Sequence, residues 1–409
     1  MKQLMIFATL LLALAGRSQA QTSGIDAVLQ QIEQNNKELL ANSQLIASQK
    51  LANKAENNLP NPTLSYAHLW DSDDSNITVG ELVIAQSFEF PTIYATRNKM
   101  NRMRNTALDA QAAALRQQIL LQAKELCLDI IMLQRQQTLL DARLKNAEEL
   151  ASSYAKRLET GDASVLETNK INLELLNVRT EARMNQTTLT NKLKELTVLN
   201  GNQYLGQGRP SPQGDLPTAA NLGLTDYPAV PFPTEFAQLC DELLAADATL
   251  QSFRNESDAA RKQISASKQG WLPNLELGYR RNTEDGHPLN GVVVGFSFPL
   301  FENRHKVKIA KAQAANIDYQ KENATLQTAS ALWQRYEEAR NLHNSILEYQ
   351  QTLGQQQDLT LLKKALDGGQ ISLIEYFVEV SVVYQSQTNL LQLENQYHKA
   401  MAQIYKSRL

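Results

Sequence analysis

Apolar residues recur at every seventh position along much of the chain. Ile119, Leu126, Leu133, Leu140, Ala147 and Tyr154 form one row. Ala123, Ile130, Leu144, Ala151 and Leu158 form a second row four residues further along each heptad, with Gln137 as its one polar interruption. Two such rows predict a coiled-coil seam on a helix running on from Pro91. A second long helix is predicted after Pro299, with Leu332, Ala339, Ile346 and Leu353 at the same step. Two returning helices carry Leu175, Ala182, Leu189, Leu196 and Val383, Leu390, Tyr397, Ile404. At about 1.5 Å per residue, 70 helical residues reach roughly 100 Å. So narrow a stripe leaves two faces of each helix in water, which suits a tube wall or a free coiled coil and not a globule.

The long helices stop twice in the same way. "TGDASVLE" (160–167) and "GGQISLIE" (368–375) share the spacing Gly-x-x-Ser-x-x-Glu. Gly161 and Gly369 suit the left-handed position that closes a helix, where a Cβ is disfavoured. Ser164 and Ser372 can cap the next helix, and Glu167 and Glu375 complete a capping box. Each stretch therefore reads as the tip of an antiparallel helical hairpin.

A period of two appears between the helical stretches. Leu64, Tyr66, His68 and Trp70 share one face of "PTLSYAHLW" (62–70). In "ITVGELVIAQSFEF" (77–90), Leu82, Ile84, Phe88 and Phe90 fall in one phase and Val79, Val83 and Ala85 in the other. "NLELGYRRN" (274–282) and "GVVVGFSF" (291–298) supply two more strand-like segments, and all four approach the length a tilted strand needs to cross a bilayer. The links "DSDDSN" and "TEDGHPL" are polar and turn-rich. A helix precedes each strand pair, over Ile25–Asn57 and Glu235–Lys268.

These features are duplicated. "LPNP" at 59–62 is answered by "LPNL" at 272–275, and "FEFP" at 88–91 by "FSFP" at 296–299. Seventy residues separate Pro91 from Gly161 and likewise Pro299 from Gly369. The chain divides into a first repeat (21–199), an extended linker (200–234) holding six of the twelve prolines, and a second repeat (235–409). Residues 1–20, with Lys2, an apolar run from Met5 to Gly16 and the small-x-small end "SQA", read as a secretory signal peptide. Its removal takes two cations, Lys2 and Arg17, from a formal net charge of −3. That balance argues against a nucleic-acid partner.

Two cysteines, Cys127 and Cys240, are too few for a disulfide framework in an exported chain. The five histidines lack metal-ligand spacing, "DSDDSN" lacks the pattern of a calcium loop, and the methionines form no thioether cluster. Neither a nucleophile–base arrangement nor a phosphate-cradling glycine loop is present, so the expectation is no enzyme, no cofactor and no metal centre. No segment reaches 18 consecutive apolar residues. If the four strands sit in lipid, their open sheet must close by oligomerisation, because unpaired edge groups cost several kcal/mol each there. Two chains would give eight strands and three would give twelve.

The ordered set of exported duplication, "LP-N" and "F-x-F-P" brackets and paired Gly-x-x-Ser tips resembles the TolC family of outer-membrane efflux channels across essentially the whole mature chain. The resemblance implies a mainly α protein with a small membrane β part: a homotrimer whose four strands per chain build a twelve-stranded β-barrel, continued by an α-helical barrel through the periplasm. It implies outer-membrane lipid around the barrel and two protein partners, an inner-membrane pump and a periplasmic adaptor (membrane fusion protein). Gly161, Ser164, Gly369 and Ser372 then become adaptor contacts at the periplasmic entrance. Glu375 falls on the first of the family's acidic pore-lining positions and is the pore-constriction candidate, whereas the next falls on Val378. Passive conduction of metal cations or drugs follows, with a lean toward metal cations from general likeness. The competing reading is a periplasmic coiled-coil scaffold or adaptor that never enters the membrane. Arginine at Ile84 or Val293, if these face lipid, separates the two.

Overall fold

The computed structural model describes residues 24–73, 78–205, 217–284, 287–355 and 359–409. The proposed signal peptide lies outside them. The first repeat contains α1 (Gly24–Asn35), α2 (Lys37–Ala55), β1 (Thr63–Trp70), β2 (Thr78–Phe88), α3 (Pro91–Thr160) and α4 (Val165–Leu199). The second contains α5 (Phe236–Ala246), α6 (Ala248–Gln269), β3 (Asn274–Glu284), β4 (His287–Ser297), α7 (Lys306–Gln355), α8 (Leu359–Asp367) and α9 (Leu373–Ile404), followed by a short 3-10 turn (Tyr405–Arg408).

Helix α3 runs 70 residues without a break, with Pro91 in its first turn, where a missing N–H costs nothing. Its expected seam is buried from Ile119 through Leu126, Leu133, Leu140 and Ala147 to Tyr154. In the second row Ala123 and Ile130 are buried, while Leu158, near the tip, is exposed. The polar interruption has a partner. Buried Asn185 of α4 donates to Leu133 O (3.0 Å) and to Gln137 Oε1 (2.9 Å), fixing the register of the hairpin.

Two expectations need correction. Each helix preceding a strand pair is broken in two, at Asn36 and at Asp247. Both residues are extended, and their side chains accept from Leu39 N (3.0 Å) and Leu250 N (2.9 Å), starting a new helix in mid-run. The helix expected directly after Pro299 begins only at Lys306. Residues 300–305 form turns ending on His305 at φ 69°, and Asn303, buried beneath them, donates to Gly270 O.

Three apolar clusters hold the helices. One joins α1, the middle of α3, the end of α4 and linker residues Leu205, Leu222 and Leu224. Another joins α5, α7 and the end of α9 around Tyr336, Tyr397 and Met401. The third binds the two hairpin tips.

The strands form one antiparallel meander in the order β1-β2-β3-β4. Registers Leu64↔Ile84, Ile84↔Tyr279 and Tyr279↔Val292 define its faces. One face carries Leu64, Tyr66, Trp70, Ile84, Leu277, Tyr279, Val292, Val294 and Phe296, all exposed. Glu81, Glu276, Arg280, Ser65, Ser87 and Gly278 stand on the other, with Arg280 paired to Glu81 at 2.9 Å. Val293 pairs with Gly278 on this polar face. It therefore lies on the face opposite Ile84, whereas Val292, 81% exposed, shares the face of Ile84.

Candidate channel wall and hairpin tips

The two tips are built alike. Gly161 has φ 82° and Gly369 φ 67°, and at both an added Cβ would meet open space, so the cost of a side chain there is conformational and not steric. Gly161 N–H donates to Leu158 O (3.2 Å) and Gly369 N–H to Leu366 O (3.0 Å), closing α3 and α8. Across each turn a capping box starts the returning helix. Ser164 Oγ accepts from Glu167 N (3.2 Å) and Ser164 N–H donates to Glu167 Oε2 (2.8 Å). The equivalent distances at Ser372 and Glu375 are 3.2 and 2.7 Å.

The donors that face each carboxylate hold its pKa below the ordinary glutamate range. The serine backbone N–H is the largest cause at both Glu167 and Glu375, followed by the serine side chain. A depressed folded pKa contributes helix stability above the unfolded value, and that contribution is lost as pH falls through the folded one. Acidification below the glutamate range therefore frays α4 and α9 at their first turns, which amide exchange at those turns reads directly. Replacing Gly161 or Gly369 by alanine forces an L-residue into the left-handed region and costs roughly 1–2 kcal/mol at that tip. Thermal melts of the single and double variants check this.

The sequence offers no contact between the two tips, and the structure packs them against each other. Leu150 and Tyr154 of α3, Ile171 of α4, Leu366 of α8 and Leu373, Tyr376 and Val380 of α9 form one buried cluster. Asn146 Nδ2 donates to Tyr376 Oη at 2.8 Å, and Lys363 pairs with Glu149. The seven-residue step from Tyr397 and Leu390 through Val383 leads to Tyr376 and is the one signal that placed it on the seam. Nothing local marks Asn146 or Lys363 as its neighbours. Between α4 and α9 lies a groove of about 420 Å³ lined by Lys170, Leu173, Glu174, Phe377, Val378 and Tyr384. Leu173 and Val378 are exposed within it, and Leu166, Ile374 and Val382 are exposed on the same two helices. Among the described residues, no three His, Cys, Asp or Glu side chains come together to hold a metal ion. No described helix is long and apolar enough to cross a membrane.

The sequence pattern of the outer membrane efflux protein family matches residues 239–407. The second repeat belongs to that family. No curated protein matches the chain in sequence. Among solved structures, the CusC channel superposes with a TM-score of 0.74 at 15% identity, covering 94% of this chain and 91% of its own. VceC, an outer-membrane protein of Vibrio cholerae, gives 0.72 at 14% identity, covering 94% and 95%. The MtrE outer-membrane channel of Neisseria gonorrhoeae, in its open state, gives 0.70 at 13%, covering 94% and 88%. The efflux-channel fold thus extends over both repeats, although the sequence pattern reaches only the second. The proteins matched are described as outer-membrane efflux proteins and channels.

Proposed function

We propose that three copies of this chain form an outer-membrane efflux channel that passively conducts what a pump and adaptor deliver. The carrying observation is the sheet. One face carries most of the large exposed apolar side chains, the other carries Glu81, Glu276 and Arg280 among mostly smaller apolar ones, and among the described residues the outer edges of β1 and β4 pair with no other strand. Such a sheet is stable in lipid only when copies pair edge to edge into a closed barrel. Twelve strands then enclose a lumen lined by the face of Glu81, Glu276 and Arg280, and the helices continue it through the periplasm.

The paired tips form the periplasmic entrance in this reading. Gly161, Ser164, Gly369 and Ser372 present small side chains to an adaptor hairpin, and the exposed apolar residues of α4 and α9 give it a surface to bury. Glu375, held ionised by its cap, lines the constriction. Val378 puts an apolar ring where a second acidic one would stand. Metal cations and drugs are both compatible cargoes, and cations are favoured. The scaffold alternative leaves the apolar sheet face unexplained.

Purified protein added to a planar bilayer should give discrete ohmic conductance steps. Failure to insert under conditions where porins do would sink the proposal. Glu375→Gln separates the two roles of that residue, because glutamine also completes a capping box. Helix content by circular dichroism should stay the same while cation selectivity, read from the reversal potential, falls. Unchanged selectivity would leave Glu375 as a cap alone.

A further inference from the structure

The departure from internal symmetry at the exit of β4 has no counterpart after β2. In the first repeat the chain passes from Phe88 straight into α3, with Ile93 buried and Tyr94 Oη accepting from Glu89 N at 3.2 Å. In the second repeat six residues of turn intervene, and they raise apolar side chains into solvent. Phe298 is 63%, Leu300 66% and Phe301 87% exposed. Trp271, three residues before β3, is exposed at the same end of the sheet. The turn is not a loose excursion. Asn303, buried, ties it to Gly270 O, and a Cβ on Gly270 would collide with the Asn303 side chain at 2.9 Å. Cations follow immediately: Arg304, Lys308 and Lys311 are exposed and have no ion-pair partner among the described residues. The turn's own carboxylate, Glu302, is engaged by Lys306 at 3.2 Å.

We propose that this turn is a membrane anchor: Phe298, Leu300 and Phe301 enter the periplasmic leaflet, and Arg304, Lys308 and Lys311 bind its anionic phospholipid headgroups. The inference rests on the barrel reading. Three features favour lipid as the occupant. The apolar side chains continue directly from the exposed face of β4, through Val292, Val294 and Phe296. An eleven-residue tilted strand spans the apolar band, so its exit lies at headgroup depth. At 1.5 Å per residue, Lys308 and Lys311 fall within about 10 Å of the start of α7, inside the headgroup zone. Aromatic rings with flanking cations are the side chains that settle at such an interface. Each trimer would carry three of these anchors, on the second repeats alone.

Nitroxide depth measurements test the anchor on full-length protein in vesicles of phosphatidylethanolamine and phosphatidylglycerol. Labels are placed separately at Phe301→Cys and Val292→Cys. The native Cys127 and Cys240 are buried, and unsubstituted protein carried through the same labelling gives the background. The Val292 label should lie near the bilayer centre and the Phe301 label about 5–10 Å below the phosphates. A Val292 label in water overturns the barrel reading itself. With Val292 deep in lipid, a Phe301 label open to aqueous relaxant overturns the anchor alone. So does a label that is immobile and reached by neither oxygen nor aqueous relaxant, which would place the turn against the next copy. Replacing phosphatidylglycerol by phosphatidylcholine should move the Phe301 label outward. Arg304→Gln/Lys308→Gln/Lys311→Gln should remove that dependence. A depth indifferent to lipid composition in the unsubstituted background contradicts the headgroup contact.

Discussion

Arginine at Val292 is expected to abolish recovery of the protein from the outer membrane, whereas arginine at Val293, the very next residue, leaves it unchanged. The side chains point to opposite faces of β4. Val292 is in the middle of the strand, in register with Tyr279 and on the same face as Ile84. A lipid-facing arginine at mid-bilayer costs about 2–4 kcal/mol. Since the same residue recurs in each copy, a trimer bears that cost three times. The sum, about 6–12 kcal/mol, is comparable to the whole stability of a folded domain. Val293 lies among Gly278, Glu276 and Arg280, where a long cation reaches a watery lumen and a nearby carboxylate. Ile84→Arg should behave as Val292→Arg does. Membrane fractionation and the detergent-resistant trimer band read the outcome. Equal loss, or equal tolerance, at the two adjacent valines would mean that the sheet faces have been assigned wrongly or never meet lipid.

The second large effect is expected at Tyr376. Its side chain is 1% exposed and fills the cluster joining the tips, and its hydroxyl meets Asn146 at 2.8 Å. Tyr376→Ala removes a buried ring and leaves a cavity, at roughly 3–5 kcal/mol by analogy with other buried aromatics. Tyr376→Phe keeps the ring and loses a single hydrogen bond, roughly 1 kcal/mol. Amide exchange in Leu150–Tyr154 and Leu373–Val380 should therefore accelerate strongly in the alanine variant and only slightly in the phenylalanine one. The C-terminal half of α9, in a separate cluster around Tyr397 and Met401, should stay protected. If both variants exchange alike, packing does not hold the tips together, and the Asn146 and Lys363 contacts carry that role.

The parts of this molecule legible in its sequence are those governed by a short period. Seven-residue spacing marked the seam of α3, and two-residue alternation marked the apolar phase of β1, whereas β2 is apolar in both phases and was left open. Both tips were legible because glycine, serine and glutamate at fixed spacing have a local mechanism. What escaped depended on partners distant along the chain. The breaks at Asn36 and Asp247 lie in runs of good helix formers, and only a cap read out of context would reveal them. Asn36 also donates to Leu199 O (2.8 Å), a contact that exists only after the repeat has folded. The late start of α7 depends on Asn303 meeting Gly270, 33 residues away. The face of Val293 was left open, because alternation within β4 cannot say which phase is apolar when Val292, Val293 and Val294 are identical. The register with β3 decides it. At the tips, the capping roles could be read locally, but the joining of the two hairpins through Tyr376 could not.

The central claim is that the open four-stranded sheet closes with two further copies in lipid. The measurement that tests it most directly is the protein mass of the detergent-solubilised particle, by light scattering, after outer-membrane, inner-membrane and soluble fractions have been separated. The account predicts outer-membrane material that needs detergent and weighs three chains. A detergent-free soluble monomer or dimer would contradict it and return the tips to plain hairpin turns of a periplasmic scaffold.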